Sequence, residues 1–194
     1  MALVNFRDSP LLTALQQAYP FGNWSVSSAM HDGQPYIGIF QVPAGQQPVA
    51  PVAVTRTVEF GDFVRLLGYT LATDTPRPGG ALKLQMVWQI EQRTQSAYKY
   101  FVHVLGPPKT DGSPVYAQQD SQPCGDSLPT TLWTASDLLA VSVTLDLPAD
   151  SPAGAYTLQT GWYDIATGAR APVTLDDGPH ANDAAQLQEL VVQP

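Results

Sequence analysis

Hydrophobic and polar residues alternate with a period of two along most of the chain beyond residue 52. The clearest runs span residues 82–90, 98–104, 139–147 and 156–163. Such a period places successive side chains on opposite faces of a β-strand, with one face buried and the other solvated. Gly, Pro or Asp closes each run, and these residues favour tight turns. The pattern therefore predicts a series of short, half-buried strands.

Weaker runs add strands near residues 54–59, 62–72, 115–119 and 187–192. The segments between the strands are short, and none has the spacing of a strand–helix–strand unit. Strands joined by turns in this way must bury their apolar faces against a second sheet. We therefore expect a mainly β protein, a two-sheet antiparallel β-sandwich of immunoglobulin-like or jelly-roll-like type.

The first fifty residues follow a different pattern. Asp8-Ser9-Pro10 is a typical helix start, and apolar residues then recur at helical spacing as far as Pro20. Two strands, at 23–30 and 36–42, follow this helix. We predict a small N-terminal αββ extension over residues 1–43, a Pro- and Gln-rich linker over 44–51, and the sandwich domain over 52–194.

The charge composition excludes two classes of partner. The net charge is −8, and the nine Lys and Arg residues are scattered singly along the chain. Binding to nucleic acid requires a basic stripe that displaces counterions, and docking on anionic lipid requires a similar cluster. We therefore expect no nucleic-acid partner and no direct insertion into a membrane.

Cysteine content and apolar runs limit the cellular setting. Cys124 is the only cysteine, so the chain forms no internal disulfide, and no basic partner lies near it in sequence to activate it. No apolar run approaches the ~20 residues that span a bilayer. The first residues lack the pattern of a signal peptide. We expect either a cytoplasmic protein or a soluble piece of a longer one.

The aromatic residues divide into two groups according to the face of the strand on which the alternation places them. Three of them lie on the apolar face of their strands and are predicted to be core residues: Trp88, Tyr156 and Trp162. Trp133 lies in a loop, and Tyr163 has the opposite phase from Trp162, so these two are the better candidates for ligand binding. If the domain binds carbohydrate, they should form an exposed aromatic platform. If the domain is purely structural, both should be packed.

His103 and Asp120 are the second candidate pair. His103 lies on the polar face of its strand, and Asp120 ends the next strand. Such a pair can hold a metal, or act as a base and the group that orients it in a hydrolase. The chain has no Gly-x-Ser-x-Gly sequence around a nucleophile. The alternative is a buried histidine that is hydrogen-bonded to a carboxylate at the strand end.

Turn carboxylates could supply oxygen ligands to a hard cation. The candidates are Asp120, Asp126, Asp164, Asp176, Asp177 and Asp183. No D-x-D-x-D-G loop is present, which favours solvated turn residues instead. We expect no cofactor, with a Ca²⁺ site as the open alternative.

Scattered strand and turn sequences resemble a β-sandwich module of bacterial polytopic membrane glycosyltransferases related to dolichyl-phosphate-mannose:protein mannosyltransferases. The matching segments are Glu59-Phe60-Gly61-Asp62, Arg65-Leu66-Leu67-Gly68-Tyr69, the LQMVWQI strand, Phe101-Val102-His103-Val104-Leu105, Ala117-Gln118-Gln119-Asp120, Pro129-Thr130 with Trp133, Pro152-Ala153-Gly154-Ala155-Tyr156, Gly161-Trp162-Tyr163-Asp164 and Thr167-Gly168-Ala169-Arg170. The N-terminal DSPLLTALQQAYP and PYIGIFQVP also resemble the segment that precedes this module.

The resemblance implies a non-catalytic accessory domain at the extracytoplasmic face of a bacterial membrane. The chemistry would then belong to a membrane-embedded parent, and this chain would recognise glycan or acceptor, or pack against that parent. Two alternatives stay open: a structural or protein-interaction sandwich without a small-molecule ligand, and a hydrolase that uses His103 and Asp120.

Overall fold

A computed structural model describes most of the chain beyond residue 51. The described segments are 23–26, 30–31, 34–35, 38–41, 52–72, 76–123, 129–133, 135–136, 138–176 and 178–194. The chain divides into two compact units, Met1–Pro51 and Val52–Pro194. The helix predicted over residues 10–19, the linker over 44–51 and Cys124 lie outside the described residues.

The first unit contains two pairs of short antiparallel strands. They are β1 (Asn23–Val26), β2 (Met30–His31), β3 (Gln34–Pro35) and β4 (Gly38–Gln41). β1 pairs with β4, and β2 pairs with β3, so that His31 lies opposite Gln34. β1 falls within the strand predicted at 23–30, and β4 falls within the strand predicted at 36–42.

The second unit is built from ten strands in chain order. They are β5 (Val54–Phe60), β6 (Val64–Leu71), β7 (Ala81–Ile90), β8 (Tyr98–Leu105), β9 (Val115–Ser121), β10 (Leu138–Asp146), β11 (Gly154–Asp164), β12 (Val173–Asp176), β13 (His180–Ala181) and β14 (Ala184–Val192). The two shortest, β12 and β13, were not predicted from the sequence. Neither buries an alternating face, so neither leaves a period-two pattern.

These strands form two antiparallel five-stranded sheets. Sheet I has the order β10-β7-β6-β5-β12, and sheet II has the order β13-β14-β11-β8-β9. The apolar phase of each long strand supplies the shared core, which contains side chains from both sheets. The prediction of a two-sheet antiparallel β-sandwich is confirmed.

Aromatic rings occupy one part of this core. Trp88 of sheet I and Trp162 of sheet II have no exposed surface, and their ring centroids lie 5.3 Å apart at an interplanar angle of 81°. Such edge-to-face packing aligns the positive edge of one ring with the negative face of the other. Trp88, Tyr156 and Trp162 are all buried, as their strand phase predicted.

Two polar contacts tie distant parts of the chain together. The Tyr69 hydroxyl donates to the carbonyl oxygen of Leu187 at 2.6 Å, which links β6 to β14. Arg56 on β5 forms a buried ion pair with Asp176, with Nη2 and Oδ1 2.7 Å apart. Removing one partner of a buried ion pair leaves the other charge uncompensated, so this pair helps to hold the last residue of β12 against β5.

Candidate functional site

Trp133 is packed in the core, so the expectation that it forms part of an exposed platform is wrong. Its side chain is 4% exposed, and its ring lies edge-on to Trp162 with centroids 5.4 Å apart at 88°. The ring of Phe63 lies 6.2 Å away on another side. Leu132, the residue before it in the same loop, is 66% exposed. Neighbouring residues of this loop thus face opposite ways, the leucine towards solvent and the tryptophan towards the core.

A buried threonine explains this orientation. Thr130 has no exposed surface and begins a short 3-10 helix, Thr130–Leu132. Its hydroxyl oxygen lies 2.6 Å from the Thr94 hydroxyl and accepts the Tyr98 amide at 3.1 Å. These bonds fix the start of the helix against the loop between β7 and β8. Trp133 follows directly and packs against the aromatic core.

The outer face of sheet II brings the other three candidate residues together. Residues of β8 alternate between the core and this face, with Tyr100 and Val102 in the core and Phe101 and His103 outside it. In the strand register Phe101 lies opposite Asp120 of β9 and opposite Gly161 of β11. We call Phe101, His103, Asp120, Tyr163 and Arg170 the outer-face cluster.

Phe101 is the centre of this cluster and is almost completely buried, at 1% exposure. Gly161 leaves room for its ring, since a Cβ added at Gly161 would lie 2.5 Å from Phe101 Cζ. The guanidinium carbon of Arg170 lies 4.6 Å from the ring centroid and covers the ring from outside. Arg170 Nη1 also donates to the Asn182 carbonyl oxygen at 2.7 Å, which holds the arginine across the face.

His103 and Asp120 form a close pair beside Phe101. His103 Nε2 lies 3.5 Å from Asp120 Oδ1, and the imidazole lies 4.7 Å from the Phe101 ring centroid. Burial lowers the pKa of His103 and Arg170 lowers it further, while the Asp120 carboxylate raises it. The net effect is a lowered pKa, so the imidazole is neutral at pH 7. A neutral imidazole can both donate and accept a hydrogen bond.

Tyr163 extends the cluster towards β8's first residues. Its side chain is half-buried, and its ring centroid lies 6.5 Å from that of Phe101 at 33°. Its backbone pairs with Arg170 in an isolated bridge. Tyr163 is therefore partly accessible beside the outer-face cluster, whereas Trp133 is not.

The described carboxylates of the proposed cation set bond to the protein itself. Asp164 accepts the amides of Ala166 and Thr167 at 2.8 and 2.9 Å; the bond from Thr167 and further hydrogen bonds hold its pKa below the usual range. Asp176 pairs with Arg56, and Asp183 accepts the Val173 amide at 3.3 Å. Asp126 and Asp177 lie outside the described residues. Among the residues that are described, no three His, Cys, Asp or Glu side chains form a group suited to a metal ion.

Phe101 and Arg170 are the members of the cluster that sequence reasoning did not select. The alternation places Phe101 on the polar face of its strand. Arg170 follows a turn, where the sequence shows no strand pattern. One signal was available: Gly161 interrupts a strand, and a glycine within a strand often marks the close approach of another group. The identity of that group required the strand register.

Comparisons with protein-family models and with curated protein sequences find no match to this chain. In the part of the chain that the structure describes, no helix combines the length and the apolar character needed to cross a membrane. The assignment of a function therefore depends on the geometry of the sandwich and on the residues of its outer face.

Proposed function

We propose that the chain is a non-catalytic recognition module that binds glycan or a glycosylated acceptor through the outer-face cluster of sheet II. The observation that carries this proposal is the convergence of His103, Asp120 and Tyr163 on one face, around the buried ring of Phe101.

The chemistry of the cluster suits a ligand rich in hydroxyl groups. Asp120 offers carboxylate acceptors and its side chain is 33% exposed, while the exposed Arg170 offers donors. Neutral His103 can act as donor or acceptor. Tyr163 adds part of an aromatic face, on which the C–H surface of a sugar ring can stack. A sugar needs this combination of donors, acceptors and an apolar platform, because its two sides differ in polarity.

A rigid support favours recognition of a ligand. Phe101 of β8 packs against Gly161 of β11, and the guanidinium of Arg170 is held by its contacts with Phe101 and Asn182. Binding by a preorganised surface loses less conformational entropy than binding by mobile loops. His103 packs on the Phe101 ring and pairs with Asp120, which orients the imidazole for hydrogen bonding to a ligand.

The resemblance to the glycosyltransferase module extends the proposal to the parent protein and to the side of the membrane on which the chain works. In that setting the chain is an accessory domain of a membrane glycosyltransferase-like protein, at the extracytoplasmic face of a bacterial membrane. The partner is then a glycan or the membrane part of the parent, and no reaction is assigned to this chain.

A structural or protein-interaction sandwich is the second candidate function. The burial of Trp133 favours it, because the aromatic platform expected for carbohydrate binding loses its largest ring to the core. In this alternative the outer-face cluster serves only to stabilise sheet II, for example by joining Arg170 to the turn between β13 and β14.

Thermal-shift measurements on the full chain with neutral and charged mono- and oligosaccharides test the proposal. A sugar that binds only the folded state raises the free energy of unfolding, by ~2.7 kcal/mol at a hundredfold excess over its dissociation constant, and so raises the midpoint temperature. We expect Tyr163→Ala and Asp120→Asn to abolish the rise. Gln85→Ala, an exposed residue on sheet I, is the matched control and should retain it.

Two results would contradict the proposal. If no saccharide raises the midpoint of the wild-type chain, the structural alternative is the better interpretation. If a saccharide raises it equally in the wild type, Tyr163→Ala and Asp120→Asn, the ligand binds away from the outer-face cluster.

A further inference from the structure

A polar cleft lies at the end of the sandwich where β7 leads into β8. Its volume is about 330 Å³, and it is bounded by the turn that carries Asp62 and Phe63 and by the loop 92–96, with Tyr98 at the start of β8. This volume is at the lower end of the range for small-molecule sites, which is about 300–1,000 Å³. The cleft shares no residue with the outer-face cluster.

The walls of the cleft are held by hydrogen bonds within the protein. The Glu91 amide donates to the Phe63 carbonyl oxygen at 2.9 Å, which joins the loop to the opposite wall. The Thr94 amide donates to the carbonyl oxygen of the buried Thr130 at 3.3 Å, and their hydroxyls are 2.6 Å apart. Because both walls are anchored, the cleft has its shape before any ligand enters it.

Two aromatic rings in tilted contact contribute to the lining of the cleft. The ring centroids of Phe63 and Tyr98 are 4.6 Å apart at an interplanar angle of 37°. Phe63 is buried, whereas Tyr98 is half-buried. Tyr98 thus supplies both an aromatic surface and a phenol that can donate or accept a hydrogen bond.

The side chains that line the cleft carry one charge of each sign. Asp62 and Arg93 are both exposed and of opposite sign, and the other polar lining groups are the uncharged amides and hydroxyls of Gln92, Thr94, Gln95 and Ser96. Burial raises the pKa of Tyr98, and the carboxylates of Asp164 and Asp62 raise it further, so the field at the phenol opposes a bound anion. The positive charge of Arg93 repels a bound cation. A neutral ligand with many hydroxyl groups meets neither penalty.

We propose that this cleft is a second binding site and that it takes a neutral mono- or disaccharide. Tyr98 stacks against the C–H face of the sugar ring, Asp62 accepts hydrogen bonds from its hydroxyls, and Arg93 donates to its oxygen atoms. The site is independent of the outer-face cluster, so either can exist without the other.

The test is a titration of the full ¹⁵N-labelled chain, followed by amide chemical shifts, with cellobiose, maltose, lactose and mannobiose. Choline and glucuronate serve as the cationic and anionic probes. We expect at least one of the neutral disaccharides to shift the amides of residues 92–98. We expect Asp62→Asn and Arg93→Gln to weaken this binding by about fivefold to tenfold, as the loss of a hydrogen bond predicts. Asp146→Asn, exposed on β10, is the matched control.

Three results would overturn the proposal. The first is the absence of any shift at residues 92–98 with all four disaccharides. The second is a response there to choline or glucuronate only. The third is binding at the cleft that Asp62→Asn and Arg93→Gln leave at the affinity of the wild type. Shifts confined to His103, Asp120 and Tyr163 would support the outer-face cluster and overturn the cleft, so the two proposals fail separately.

Discussion

The outer faces of the two sheets follow the same alternating pattern but differ in what they bury. On sheet I the outward residues of β10 and of the first half of β7 are exposed, for example Ser142, Thr144 and Lys83. On sheet II, Phe101 is 1% exposed and Gln159 8% exposed, although neither belongs to the shared core. On the outer face of sheet I Val87 of β7 is also buried, at 5% exposure, but sheet II buries a whole aromatic ring there.

The difference arises because the side chain of Arg170 covers part of the outer face of sheet II. The turn between β13 and β14 places Asn182 and Asp183 at φ values of 52° and 55°, which matches a two-residue hairpin of type I′. Arg170 reaches this turn through its bond to the Asn182 carbonyl oxygen. The Phe101 ring and the Asp183 carbonyl oxygen both lie beside Gly161, and Arg170 covers the ring. Alternation alone therefore does not show which polar-phase residue is buried, because a later segment can cover it.

The largest effect expected from this comparison is that of Phe101→Ala. Loss of a buried phenylalanine costs about 3 kcal/mol of unfolding free energy or somewhat more, since it leaves a cavity. Gln85→Ala, at an exposed position on sheet I, should change the free energy by no more than about 0.5 kcal/mol. Urea unfolding monitored by tryptophan fluorescence measures both. Equal small effects would show that the two outer faces are energetically alike.

Gly161→Ala should have the next largest effect. Its new Cβ would lie 2.5 Å from the Phe101 ring and 2.9 Å from the Asp183 carbonyl oxygen, so overpacking should cost about 1–3 kcal/mol. Ala155→Val, an exposed position on the same strand, is the control and should be nearly neutral. Combined with Phe101→Ala, Gly161→Ala should cost less than it does alone, because the ring that it meets is gone. Strict additivity in the same urea assay would contradict the contact.

The smallest effect is a pH dependence. The folded-state pKa of His103 is lowered, chiefly by burial, so the unfolded chain binds this proton more readily than the folded one. Its contribution to stability is complete above the unfolded pKa, near 6.5, and decreases as the pH falls through that value towards the folded pKa. His103→Gln should therefore flatten the loss of stability between pH 7.5 and pH 5. The measurement is the urea midpoint at several pH values; parallel profiles for wild type and variant would contradict this.

The outer-face cluster could be predicted only in part. Strand phase separated His103 and Tyr163 from the core, and the end of a strand drew attention to Asp120. The same reasoning selected Trp133 because loops often carry ligand residues, and there it failed. The hydrogen bonds of Thr130 to a loop more than thirty residues earlier decide that Trp133 faces inward while Leu132 faces solvent. Nothing in the local sequence around Trp133 records that contact.

The sequence by itself determined the class of fold, because a period-two pattern with turn residues at its ends is compatible only with strands that bury one face. It also determined the core positions of Trp88, Tyr156 and Trp162, which follow directly from that phase. Only the tertiary structure decided what covers the outer faces and which loops close the end of the sandwich. The physical reason is that these features depend on contacts between residues far apart in the chain, such as Phe101 with Gly161 and Thr94 with Thr130. Such contacts arise from the register and order of the strands, which local alternation does not encode.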